Sequence, residues 1–318
     1  MFAYRGLIDG GITMRNLRAT AAISLFMIIS LAGLPLGAVA QTRVKAPSNP
    51  YDIRKDVELG RQAATEVERQ LPMMREGYID SYIESVGRRL VAAIPSEFQH
   101  PEFRYSFDVV NTRDLNAFAL PGGFTYVNRG MIEAARNEGE LAGIMSHEIS
   151  HVALRHGTAQ AAKAQKYAVG QVAGSILGAI IGGGVGSVIS QGSQFGIGAY
   201  FLKFSREYER QADILGAQIM ANAGYDPVDL ANVFRTLEQQ GGKSGPEWLS
   251  SHPNPGNRYD AINREAQAFS VRNPIRETAE FNRVQAMLRD QPRARSMEEI
   301  SRTSNRNPRS GSPTSSRR

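Results

Sequence analysis

Apolar residues recur at helical spacing along most of this chain and alternate over one short region. Val57, Leu59, Ala63, Val67 and Leu71 fall near one face of a helix over 56–71. Ile79, Tyr82, Ile83, Val86, Leu90 and Val91 do the same over 77–94, and Pro95 stops that run. Residues 103–110 alternate and are rich in aromatic and β-branched side chains, which predicts a strand. Residues 115–120 and 124–128 predict two more, with Pro121 and Gly122 suited to the central positions of a type II turn between them. A short helix is expected over 131–136. Asn137 with Glu140 three residues later predicts the capped start of another, closed by Gly157 after His156. Helices are further predicted over 205–223, 227–240, 257–269 and 277–288. The expected fold class is therefore α+β and predominantly helical, with a small β-sheet. No internal repeat is evident.

Two stretches break this pattern. Residues 1–40 combine Arg15 and Arg18, an uncharged apolar run over 21–36, and Ala38-Val39-Ala40. They read as a cleavable signal peptide with Gln41 as the mature start, which predicts export to the periplasm. Met14 is an alternative initiator. Residues 168–202 are apolar, Gly-rich and uncharged until Lys203. A hairpin of two short helices fits them, whether packed on the protein itself, closing over a cleft as a lid, or touching a membrane. Beyond Asp290 the chain is rich in Arg, Ser and Pro, so 291–318 is expected to be a disordered basic tail on a domain spanning 41–290.

One helix is unusual in what it lacks. Leu141, Met145, Ile149 and Val152 form one apolar stripe, and Ala142, Ser146, Ser150 and Ala153 form a second face of small side chains. Between Leu141 and Leu154 the only ionisable residues are His147, Glu148 and His151. A solvent-facing helix would carry more charge, so this one is expected to be buried all round, and its polar triad needs a partner. The triad reads H-E-x-x-H. His147 and His151 stand one helical turn apart on one face, a separation that suits two ligands of one tetrahedral Zn²⁺. Glu148 can reach an attacking water without ligating the metal.

A catalytic zinc site needs a third protein ligand and an open position. Glu209 is the candidate, with Asp213 four residues on, facing the same site and accepting a hydrogen bond from the far nitrogen of His147. Glu207 competes but has no acid four residues later. His252, in a proline-rich turn, and Arg258 could approach the metal or a developing oxyanion, or be a surface His and an exposed Arg. His156 falls off the ligand face and is expected to be a helix-end residue, and His100 a surface one.

Charge and cysteine content narrow the class. The formal net charge is +6, but the excess sits in the two ends and leaves 41–290 close to neutral, so no nucleic acid is expected as a partner. The absence of cysteine excludes disulfides and Cys-ligated zinc.

Four segments in one order resemble the M48 zinc metallopeptidases: residues 116–123 (Asn-Ala-Phe-Ala-Leu-Pro-Gly-Gly), 140–151 around H-E-x-x-H, Glu209 to Asp213, and Ser251-His252-Pro253 with Arg258. The resemblance implies a zincin-type (gluzincin) metalloprotease domain with its sheet beside the H-E-x-x-H helix. It implies one Zn²⁺ on His147, His151 and Glu209, with Glu148 as base, His252 and Arg258 in the active site, and Asn116 near substrate. The C-terminal helical repeats of some periplasmic relatives and the several membrane helices of the prenyl proteases have no counterpart in these residues. The expected activity is endopeptidase cleavage of misfolded or misassembled envelope polypeptides, bound along the 115–120 strand. The alternative is a chaperone or assembly factor for outer-membrane proteins that cleaves rarely. A regulatory variant has His252 Nε2 occupying the open metal position and blocking water.

Overall fold

A computed structural model describes residues 41–167, 204–240, 247–252 and 257–306. The expected leader over 1–40 and the Gly-rich stretch over 168–202 lie outside the described residues. Helices α1 (Ile53–Gln70) and α2 (Gly77–Ala92) come first, followed by strands β1 (Ser106–Val110), β2 (Ala117–Ala119) and β3 (Phe124–Asn128). Helices α3 (Arg129–Ala134), α4 (Glu138–Ala153), α5 (His156–Tyr167), α6 (Arg206–Asn222) and α7 (Val228–Gln240) follow. Then come α8 (Glu247–Ser251), α9 (Arg258–Ala266), α10 (Ala279–Asp290) and α11 (Met297–Arg306). The domain is a predominantly helical α+β fold with a small three-stranded sheet. Among the described residues no helix is long and apolar enough to cross a membrane.

The strand order is β1-β3-β2, with β1 parallel and β2 antiparallel to β3, which leaves β2 at an edge. Alternation along the strands gives the sheet two apolar faces. Phe107, Val109, Ala117 and Val127 join the main core with α2 and α4. Val110, Phe118 and Tyr126 join a smaller core with Leu59, Ala63 and Val67 of α1 and with Met297. The turn between β2 and β3 has Gly122 at φ 80° and ψ −3°, the value a type II turn requires after Pro121.

Helix α4 is buried along all 16 of its residues. It packs against α6, α7, α2 and β2. The small residues let neighbours approach closely: a Cβ on Gly143 would stand 2.9 Å from the Leu230 Cα of α7. Asn137 caps the helix by accepting from Glu140 N, while the Glu140 carboxylate accepts from the backbone N of Arg136 rather than of Asn137.

Two expectations are corrected. Gly157 does not cap α4. The helix ends at Ala153, Arg155 takes the left-handed conformation at φ 58°, and Gly157 enters the first turn of α5. A non-glycine residue holds that backbone because its guanidinium is anchored: Arg155 Nη2 donates to the Tyr51 carbonyl at 2.6 Å and to buried Asp56 at 2.5 Å.

Of the tail expected to be disordered over 291–318, the part up to Arg306 is instead packed on the domain through α11, and 307–318 lie outside the described residues. Arg113 N donates to the Arg295 carbonyl, Met297 N donates to Asp114 Oδ2 at 2.7 Å, and Arg113 pairs with Glu299. Its few apolar residues, Met297 and Ile300, suffice because they complete the small core under the sheet. Replacing Met297 with Ala removes buried side-chain volume and is expected to cost about 2 kcal/mol, about 5 °C in Tm. Exposed Arg302→Ala is expected to stay within about 0.5 kcal/mol. Thermal denaturation of the two variants against the parent checks both.

Candidate metal centre

The site is built where α4, α6 and the α8 end meet. One turn of α4 presents His147 and His151, and α6 presents Glu209 and, a turn later, Asp213. Helix α8 delivers Trp248, and His252 follows at its end. His147, His151, Glu209 and His252 each bring one donor atom within 4.8 Å of the others, and all four are buried. His147 Nε2 is 3.0 Å from His151 Nε2 and 3.2 Å from His252 Nδ1. Glu209 oxygens stand 3.1 Å from His252 Nδ1, 3.4 Å from His147 Nε2 and 3.7 Å from His151 Nε2.

These separations test whether a metal fits. A tetrahedral ion with ligands at about 2.1 Å sets those ligands about 3.4 Å apart. The observed edges bracket that value. Three buried imidazole nitrogens and a carboxylate facing one another without solvent are otherwise hard to satisfy, since each ring nitrogen in the cluster offers a lone pair or a proton to a neighbour of its own kind. The donor set, nitrogen and oxygen without sulfur, suits a divalent ion.

Beyond the geometry, the model for peptidase family M48 matches residues 79–266, more than half of the chain. The chain belongs to peptidase family M48. It is 31% identical over 222 residues to the beta-barrel assembly-enhancing protease of Escherichia coli (strain K12), covering 68% of this chain and 45% of that protein. It is 30% identical over 254 residues to the Yersinia pestis protein of that name, covering 73% and 51% respectively. It is 32% identical over 147 residues to the mitochondrial metalloendopeptidase OMA1 of Arabidopsis thaliana, covering 46% and 28%. The chain thus spans about half the length, or less, of these relatives.

Around the four donors, this M48 chain arranges a set of partners that the sequence reading covers only in part. Asp213 lies where expected, with Oδ1 3.1 Å from His147 Nδ1, close enough for a charge-assisted contact although not aligned along the N–H direction. Glu148 stands beside the cluster, and its Oε1 accepts from Trp248 Nε1 at 2.8 Å. His252 turns Nδ1, not Nε2, to the cluster, and its Nε2 lies 3.5 Å from Glu148 Oε1. The Trp248 ring stacks on His252 at 5.0 Å between centroids and meets His147 edge-on at 5.3 Å. Trp248 is the only tryptophan in the chain and lies four residues before His252, a signal that could have drawn it into the site.

Arg258 is buried against the cluster rather than exposed on its helix. Its Nε and Nη2 donate to Asp213 at 2.8 and 2.6 Å, and Nη1 donates to the His252 carbonyl at 3.1 Å and lies 3.0 Å from Glu209. The residue is 4% exposed, and its donors face inward. Asn116 is not among the donors either. It sits buried just before β2 with no partner for Oδ1 among the described residues, one residue after Leu115, whose carbonyl accepts from Trp248 N.

Electrostatics follow from this layout. Burial works against a charged His147, yet Asp213 and Glu209 outweigh it and raise the imidazole to about 9. Burial and the neighbouring His147 push His151 well below its usual value. Burial works against an ionised Glu209, yet His252 and His147 hold the carboxyl well below the usual carboxylate range. Asp213 is likewise held low against burial by the Arg258 charge and by His147. The cluster therefore keeps two carboxylates ionised in a buried site, matched by Arg258 on one side. Asp213→Asn is expected to weaken divalent-metal affinity about 10- to 100-fold, and Glu209→Ala to weaken it further. Chelator-competition titrations measure both, and parental affinity in Glu209→Ala would mean that the third ligand lies elsewhere.

Proposed function

We propose that this chain is a zinc-dependent endopeptidase of the cell envelope that cleaves misfolded or misassembled envelope polypeptides. The observation that carries the reading is the position of Glu148, beside the four-donor cluster and oriented by Trp248 rather than ligating. His147, His151 and Glu209 would hold the zinc, which when bound supplies a polarised scissile carbonyl and an acidified water. Trp248 occupies one Glu148 oxygen and leaves the other to take the proton of the attacking water and deliver it to the leaving amine. Asp213 holds His147 in orientation, and Arg258 balances Asp213 and Glu209. A polypeptide would run along the edge of the sheet at β2, beside a recess lined by Ala119, Leu120, Pro121, His151 and Phe204.

His252 adds a gate to this reading. A catalytic site keeps one position open; His252 Nδ1, one of the four clustered donors, would fill it, while His252 Nε2 faces the base. Withdrawal of the His252 ring would therefore open the metal position and free Glu148 together. The envelope location is supported by the signal-like residues 15–40 and by the similarity to bacterial beta-barrel assembly-enhancing proteases. That name also points to unassembled β-barrel proteins as a substrate class. A chaperone acting without cleavage is the competing outcome.

Zinc-loaded protein incubated with an unfolded polypeptide separates these outcomes. Glu148→Gln is expected to keep the metal and lose about a hundredfold or more of the cleavage rate; cleavage at the parental rate would remove Glu148 from the chemistry. His252→Ala is expected to raise the rate of short-peptide hydrolysis at equal metal loading. A lowered rate would make His252 part of the chemistry instead of a gate.

A further inference from the structure

His156 has no part in the reaction described, yet it is fully buried and touches a proposed metal ligand. Its Nδ1 lies 3.0 Å from His151 Nδ1, and its Nε2 lies 3.0 Å from Gln211 Oε1. Gln211 Nε2 in turn donates to Glu207 Oε1 at 2.9 Å. Glu207 is half exposed and is paired with Arg210, whose Nη2 lies 2.9 Å from the same oxygen. A continuous polar chain thus runs from solvent to the back of His151. The flat faces are packed as well: His156 stacks on Tyr208 at 4.4 Å with a 2° tilt, and His151 stacks on Phe204 at 4.1 Å.

Each link in this chain determines the next. An ionised carboxylate only accepts, so Glu207 takes the amide N–H of Gln211. The Gln211 carbonyl oxygen then faces His156, and Nε2 of His156 must carry a proton to donate to it. No carboxylate touches the His156 ring among these contacts, so the buried imidazole is neutral and its Nδ1 is a bare acceptor. His151 must then donate from Nδ1, which leaves the lone pair of its Nε2 aimed into the donor cluster.

We infer that His156 is a positioning residue that, through Gln211 and Glu207, fixes the tautomer and ring orientation in which His151 receives the metal. The inference rests on the reading of the cluster as a metal site. It gives the two helix ligands different supports. His147 is backed by the carboxylate of Asp213, which makes it the more electron-rich donor; His151 is backed by a neutral imidazole. A partner for the non-ligating nitrogen is the rule for metal-bound imidazoles, since the ring otherwise swings and exchanges tautomers.

The test is metal affinity, measured by zinc titration against a competing chelator, with the cobalt-substituted absorption spectrum as a second readout. His156→Phe keeps the stack on Tyr208 and removes the acceptor; it is expected to weaken zinc about 10- to 100-fold and to shift the cobalt bands. His156→Asn restores an acceptor near the Nδ1 position and is expected to recover most of the loss. Gln211→Leu breaks the chain one link out, with a smaller loss expected, and it stands in if His156→Phe fails to fold. Parental affinity in both His156→Phe and Gln211→Leu overturns the inference, as does an equal loss in His156→Phe and His156→Asn, which would mark a packing role. Failure of the parent chain to bind zinc at all overturns the metal reading itself, and with it this inference.

Discussion

Ionised carboxylates are costly to bury, and this fold sets the buried carboxylates of Glu209 and Asp213 against the imidazoles in its centre. Most of the architecture around α4 can be understood as meeting that cost. Arg258 places one permanent cation among them and forks onto Asp213. Asp213 turns its remaining capacity to His147. Glu209 faces the histidines, which leaves the interior of the cluster as the place where further positive charge is wanted. A divalent ion there would complete the balance and give the ring nitrogens a common acceptor for their lone pairs.

That constraint explains why α4 is enclosed on every side. Small residues let α6 and α7 come close enough for Glu209 and Asp213 to reach the two histidines, and Gly143 sets the approach to α7. The sheet closes the opposite side and presents β2 as an edge. Helix α8 is short, but its tryptophan does three things in the site: it orients Glu148, stacks on His252 and abuts His147. Burial of Trp248 therefore links the position of the base to the position of the fourth donor. A movement of α8 would alter both at once.

The enclosed helix and its donors were legible in the sequence because their signals are local. Two stripes over 141–153 with no charge outside the motif require burial, and i, i+4 spacing places both histidines on one face. The carboxylates on α6 follow the same spacing rule. What was not legible depends on how distant elements meet. Spacing alone leaves Arg258 open between an exposed and an active-site role, and only the meeting of distant elements buries it against Asp213. His156 lies five residues after His151, off the ligand face of a continuous helix. The chain breaks at Leu154, however, and the left-handed Arg155, tethered to Asp56, turns His156 back onto the far side of His151. The helix over 297–306 was missed because its two apolar anchors are sparse among Arg and Ser, and their value comes from a core that other elements supply.

The central claim is that the buried donors form one metal site with Glu148 held beside it. The most direct measurement is a crystal structure of the zinc-loaded chain with anomalous data at the zinc edge. The account predicts one peak per chain, with His147 Nε2, His151 Nε2 and a Glu209 oxygen each at about 2.0–2.2 Å and with Glu148 outside bonding distance. A peak at another site, or a zinc bound by Glu148 in place of Glu209, would contradict it.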